Sequence, residues 1–138
     1  MNKKVPQGKI EFDNKVIDPL NSFNDAEGLF DVPSSGNYLF FFNSAVKANF
    51  TSTPYSMIYV YVNGNIKYKF TENIAKPVAA SDPFAGYQHN FMFTSKLWEY
   101  DELYLKNQYP DTLYSDADRP MTFIGYKTNW IIFVIFVK

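Results

Sequence analysis

Residues 23–40, Phe-Asn-Asp-Ala-Glu-Gly-Leu-Phe-Asp-Val-Pro-Ser-Ser-Gly-Asn-Tyr-Leu-Phe, constrain the fold more than any other part of the chain. Gly28 and Gly36 are each followed two residues later by an aromatic, Phe30 and Tyr38. Glycine adopts positive φ without a Cβ clash, so both positions are read as corners. Phe30 and Val32 alternate as a short strand, 33–36 is turn material, and Tyr38, Phe40 and Phe42 share one face of the next strand. That layout is the corner of a β-sandwich.

The same period continues downstream. The stretch 38–46 is apolar on both faces at its start, as expected of a strand covered on both sides, in mid-sheet or at a subunit contact. Residues 57–62 and the trio Ile66, Tyr68 and Phe70 flank Asn63-Gly64, a strong hairpin signal. Residues 71–87 carry Pro77, Pro83 and Gly86 and read as a long loop of the kind that is usually functional or mobile. Phe91, Phe93 and Leu97 mark another strand, Asp101 a turn, and Leu103 and Leu105 the strand after it. A second polar loop covers 107–120, and 121–127 and 130–137 are the last two strands. No stretch holds a helical period, so the class is all-β.

Composition narrows the function. A chain of 138 residues suits one domain with a real core. Thirteen basic residues against fourteen acidic ones leave a net charge of -1, which argues against nucleic acid or an anionic membrane as a partner. With 14 Phe, 11 Tyr and 2 Trp, the rings suit a filled sandwich core and, beyond it, an oligomer interface. Cysteine is absent, which excludes disulfides and thiolate metal sites. The apolar run 130–137 is far short of the roughly 20 residues a membrane helix needs. Lys3 and Lys4 are followed by Val5-Pro6-Gln7-Gly8 rather than an apolar stretch, so they do not read as a signal peptide.

With the strands in place, the chain resembles the globular-head family of complement C1q, whose fold is a jelly roll shared with tumour-necrosis-factor ligands. Ile10 and Phe12 match the family's opening Ile-x-Phe. Phe23-Asn24, Gly28, Phe30, Pro33, Gly36, Tyr38 and Phe40 match its corner signature, and Asn63-Gly64 its hairpin. Leu97, Asp101 and Leu103 resemble its Leu…Gly-Asp-x-Val segment, with Tyr100 in place of the glycine. Phe123, Gly125 and Tyr126 match its closing Phe-x-Gly-Phe strand. The resemblance covers about residues 9–128.

It implies a β-sandwich of about ten strands, a homotrimer, secretion, and recognition of protein or carbohydrate ligands without catalysis. We expect a lead-in without structure over 1–8, the jelly-roll domain over 9–129 and an extra strand over 130–138. Nothing upstream of Ile10 matches the family's first strand, which would lie antiparallel beside the closing one. A tail that turns at Thr128-Asn129 and runs back along 121–127 would fill that slot. Tyr38, Phe40, Phe42, Phe123, Tyr126 and the tail are expected at the inter-sheet core or the trimer axis. Ligand contact is expected from Tyr87, Tyr109, Tyr114 and Arg119 in the two long loops.

Catalytic chemistry has little to build on. His89 is the single histidine, no nucleophile motif surrounds it, and between Gln88 and Asn90 it reads as a solvated loop residue. Asp111, Asp116 and Asp118, with Glu99, Asp101 and Glu102, offer oxygen ligands for calcium, but their spacing fits no calcium-loop motif. Solvated carboxylates are the expected state, with calcium as the alternative. Asn49-Phe50-Thr51 is an N-glycosylation sequon. Two further functions stand beside the recognition module: a signalling ligand of the tumour-necrosis-factor type, and a purely structural trimerisation head.

Overall fold

Alternate residues of β6 (Gly36–Val46) are buried, Tyr38, Phe40 and Phe42 to within 2% of full burial, and this strand organises the molecule. The computed structural model describes residues 3–4, 6–12, 14–18, 22–24, 27–46, 55–73, 88–110, 112–128 and 133–137. One sheet holds β6 with β1 (Lys3–Lys4), β3 (Asn14–Ile17), β9 (Gln88–Leu97), β11 (Leu113–Ser115), β12 (Thr122–Lys127) and β13 (Phe133–Val137). The other holds β2 (Gly8–Lys9), β4 (Phe23–Asn24), β5 (Leu29–Asp31), β7 (Tyr55–Val62), β8 (Asn65–Asn73) and β10 (Glu102–Asn107). All pairings are antiparallel. The class is all-β, as the period predicts.

β9 runs along one edge of β6, Gly36 opposite Leu97 through Ala45 opposite Gln88. Along the other edge β11 and β12 lie end to end, Tyr114 opposite Ala45 and Thr122 opposite Asn43. The chain between them leaves the sheet and returns, held by Met121 N donating to Ser115 Oγ at 3.0 Å. β13 pairs with β12 from Tyr126–Phe133 to Thr122–Val137, then with β3 on its far side. The tail therefore runs back along the closing strand as expected.

Between the sheets the rings form a continuous stack. Phe40 lies 5.0 Å from Phe93 and 5.4 Å from Phe123, both near parallel, and edge-on to Phe30 at 5.8 Å. Phe12 stacks on Phe123 at 5.8 Å. Gly125 sits directly opposite Phe40 in the register, and a Cβ there would come within 2.5 Å of the Phe40 ring. The glycine thus clears the space that the ring fills.

Four expectations are corrected. Gly28 has the anticipated positive φ (66°), but Gly36 does not; its place is fixed by the Lys127 stem, which occupies the position of a side chain there. The lead-in is not without structure, since Lys3–Lys4 pairs with β11 and Gly8–Lys9 with β10. The polar loop 107–120 contains β11, whose Leu113, Tyr114 and Ser115 are all buried. Ile66 does not share a face with Tyr68 and Phe70: a register shift at Val60/Tyr61 places it opposite Tyr61, and it is exposed.

Candidate functional site

The residues of β6 that point away from the core are not the polar set a solvated sheet would carry. Phe41 is 39% exposed, and its register neighbours are Met92 on β9, 59% exposed, and Ile124 on β12. The row Met92–Phe41–Ile124 continues in register through Ile135 on β13 to Ile17 on β3, crossing five strands with an apolar residue type at every position. A solvated antiparallel face alternates to polar residues at such positions. One row on, Asn90, Asn43, Thr122, Val137 and Asn14 form a mostly polar margin.

On β6, β9 and β12 the two rows line an open concavity of about 840 Å³, whose wall includes Phe41, Asn43, Met92, Thr122, Ile124 and Tyr126. Asn43 Oδ1 lies in it, shielded from solvent and without a hydrogen-bond donor among the described residues. An acceptor buried without a donor costs about 1–3 kcal/mol. The face thus joins exposed apolar area to an acceptor in want of a donor.

The rest of the expected site residues divide. Tyr38, Phe40, Phe42 and Phe123 belong to the core between the sheets, whereas Tyr126 is half-buried on the outer face beside Ile124. Tyr114 is buried in β11 and is no loop contact; burial of its ring in a paired strand removes it from ligand reach. Tyr109 is half-buried, and its carbonyl accepts from Thr112 Oγ1 at 3.0 Å. Arg119 is exposed but donates to Asp116 at 3.2 Å. Tyr87, Asn49 and Asp111 lie outside the described residues. Phe41, Met92 and Ile124 were missed, because only the register between distant strands brings them together.

Two of the carboxylates expected as calcium alternatives, Asp116 and Asp101, serve turns. Asp116 Oδ1 accepts from the backbone N–H groups of Asp118 (3.0 Å) and Arg119 (2.7 Å). Desolvation works to raise its pKa, and donation from the Arg119 backbone and guanidinium and from Asp118 outweighs it, so the carboxyl stays below its usual range. Asp101 accepts from Trp98 N and Asn63 Nδ2, both at 2.8 Å. That network pins a turn in which Tyr100, at the position of the resembled glycine, takes φ 71° and is 81% exposed. Among the described residues no cluster of three or more His, Asp and Glu side chains could hold a metal.

His89 corrects the sequence reading outright. It is 2% exposed, its Nδ1 lies 2.8 Å from Ser56 Oγ, and its ring packs edge-on against Phe42 and Phe91. Desolvation pushes its pKa down to about 4. The alternation that turns Phe91 and Phe93 inward carries back to position 89, and this was the signal available in the sequence.

Two antiparallel sheets packed face to face make a jelly-roll sandwich, and in fold it is similar to a C1q globular domain. A search of solved structures finds the globular domain of zebrafish complement 1qA protein at TM-score 0.66 and 13% identity, covering 93% of this chain and 90% of that one. At that identity the likeness is one of fold. No protein-family model and no curated protein matches the chain by sequence.

Proposed function

We propose that the chain is a non-catalytic, extracellular recognition module of the C1q type that works as a homotrimer. The observation that carries the reading is the outer face of the β6 sheet, where exposed Met92 and Phe41 stand in one row with Ile124. An exposed apolar patch rimmed by polar groups is the mark of a protein contact. Copies of the chain meeting there about a threefold axis would remove the row from water.

Ligand recognition is assigned to surfaces away from that axis. Burial of His89 against Ser56 supports the non-catalytic half of the proposal, since a base withdrawn from solvent cannot meet a substrate in solution. Light scattering on the purified chain, with Phe41→Asp as the matched variant, tests the assembly.

A further inference from the structure

The outer face of the second sheet holds its charges apart. On β10 the outward residues are Glu102, Tyr104 and Lys106 in succession. Glu102 stands opposite Asp31, so the acidic residues meet at one end. At the other end Lys106 stands directly opposite Lys9 on one side and Tyr59 on the other, and Tyr59 stands opposite Lys69. Lys9, Lys106, Tyr59 and Lys69 thus form one row across four strands, about 14 Å long at the usual strand spacing.

Like charges directly opposite each other destabilise a sheet. No described carboxylate lies within ion-pair range of these ammonium groups, although Glu102 is on the same strand. Lys9 Nζ donates to the Glu27 carbonyl at 2.9 Å, and the ammonium groups otherwise rest on rings: Lys9 Nζ over Tyr104 at 4.7 Å, Lys69 over Tyr59 at 5.2 Å and Lys106 over Tyr61 at 5.8 Å. Tyr61 and Tyr104 stack on each other at 4.9 Å and 5°. Ring faces engaged in this way are not free to stack on a base or a sugar, and what the row offers is hydrogen-bond donors, ammonium N–H and phenol O–H.

We propose that this row binds an acidic polysaccharide, a chain bearing sulfate or carboxylate groups at repeated intervals. Sulfate and carboxylate oxygens accept from both donor types, and a linear series of anions matches a linear series of lysines. The net charge of -1 is a sum over the whole chain and does not describe this row, in which each described register partner is a lysine or a tyrosine. Base recognition would need free aromatic faces, which is why a glycan is favoured over single-stranded nucleic acid. The inference deepens the recognition reading and depends on it for the kind of function, not for the trimer.

The test is calorimetric titration of the full chain with a short heparin-derived oligosaccharide, which spans one row whatever the oligomeric state, so a monomeric mass would count against the trimer alone. Saturable binding that weakens with added salt is expected. The variant Lys9→Gln/Lys69→Gln/Lys106→Gln should lose at least tenfold in affinity with its thermal midpoint kept. Lys67→Gln/Lys96→Gln, which removes the same kind of charge off the row, should stay within twofold. No binding by the parent chain, or equal losses in the two variants, would overturn the proposal. Equal or tighter binding to single-stranded DNA, or to vesicles of phosphatidylcholine and phosphatidylserine, would overturn the assignment to a polysaccharide.

Discussion

His89 Nδ1 and Ser56 Oγ lie 2.8 Å apart and tie β9 of one sheet to β7 of the other through the interior of the sandwich. Both residues are buried, and the imidazole is enclosed by Phe42 and Phe91. The pair therefore suits the neutral ring, and protonation is opposed by desolvation.

That makes stability depend on pH in a stated direction. The pKa falls from 6.5 to about 4 on folding, so below 6.5 the unfolded chain binds a proton that the folded chain refuses. Stability from this group is complete above pH 6.5 and declines by about 1.4 kcal/mol per pH unit down to pH 4, about 3 kcal/mol in all. Urea unfolding of the parent chain and of His89→Asn across this range should show a steeper acid slope in the parent, by about one proton. Equal slopes would mean that the imidazole titrates freely.

Gly125 and Phe40 give a second prediction. An alanine Cβ at 125 would meet the Phe40 ring within 2.5 Å, and Phe40 is wedged among Phe30, Phe93 and Phe123. Gly125→Ala should cost about 1–3 kcal/mol as an overpacking change. Gly36→Ala meets only the flexible Lys127 side chain and should cost less. Denaturant midpoints in the reverse order would contradict this packing.

The returning tail supplies the third. β13 makes five register pairs with β12 and carries β3 on its other edge. At about 0.2–1 kcal/mol per pair, with an unpaired β12 edge left behind, deleting 130–138 should lower the thermal midpoint sharply or unfold the chain. A truncated chain with an unchanged midpoint would show that β13 carries no stability.

What the sequence made legible was local. The Gly28 corner, the Asn63-Gly64 hairpin and the burial of Tyr38, Phe40 and Phe42 each follow from turn chemistry or period-two alternation within a few residues. The return of the tail was also legible, because an apolar run after a turn needs a partner strand. His89 was misread against its own alternation with Phe91 and Phe93, and only its partner Ser56, 33 positions away, lay beyond local reading. The rows Met92–Phe41–Ile124 and Lys9–Lys106–Tyr59–Lys69 were invisible because each is set by the register of distant strands, as the Ser56 contact is. Alternation tells which face a residue takes but not which distant strand lies beside it. A one-residue shift, such as that at Val60/Tyr61, turned Ile66 outward against its own alternation.

Molar mass in solution by light scattering decides whether the Phe41 face joins copies of this chain. Three times the 16.0 kDa of one chain is expected, with a fall to 16.0 kDa for Phe41→Asp and its far-ultraviolet circular dichroism unchanged. A parent chain that stays at 16.0 kDa at every concentration, or a Phe41→Asp trimer as stable as the parent, would contradict it.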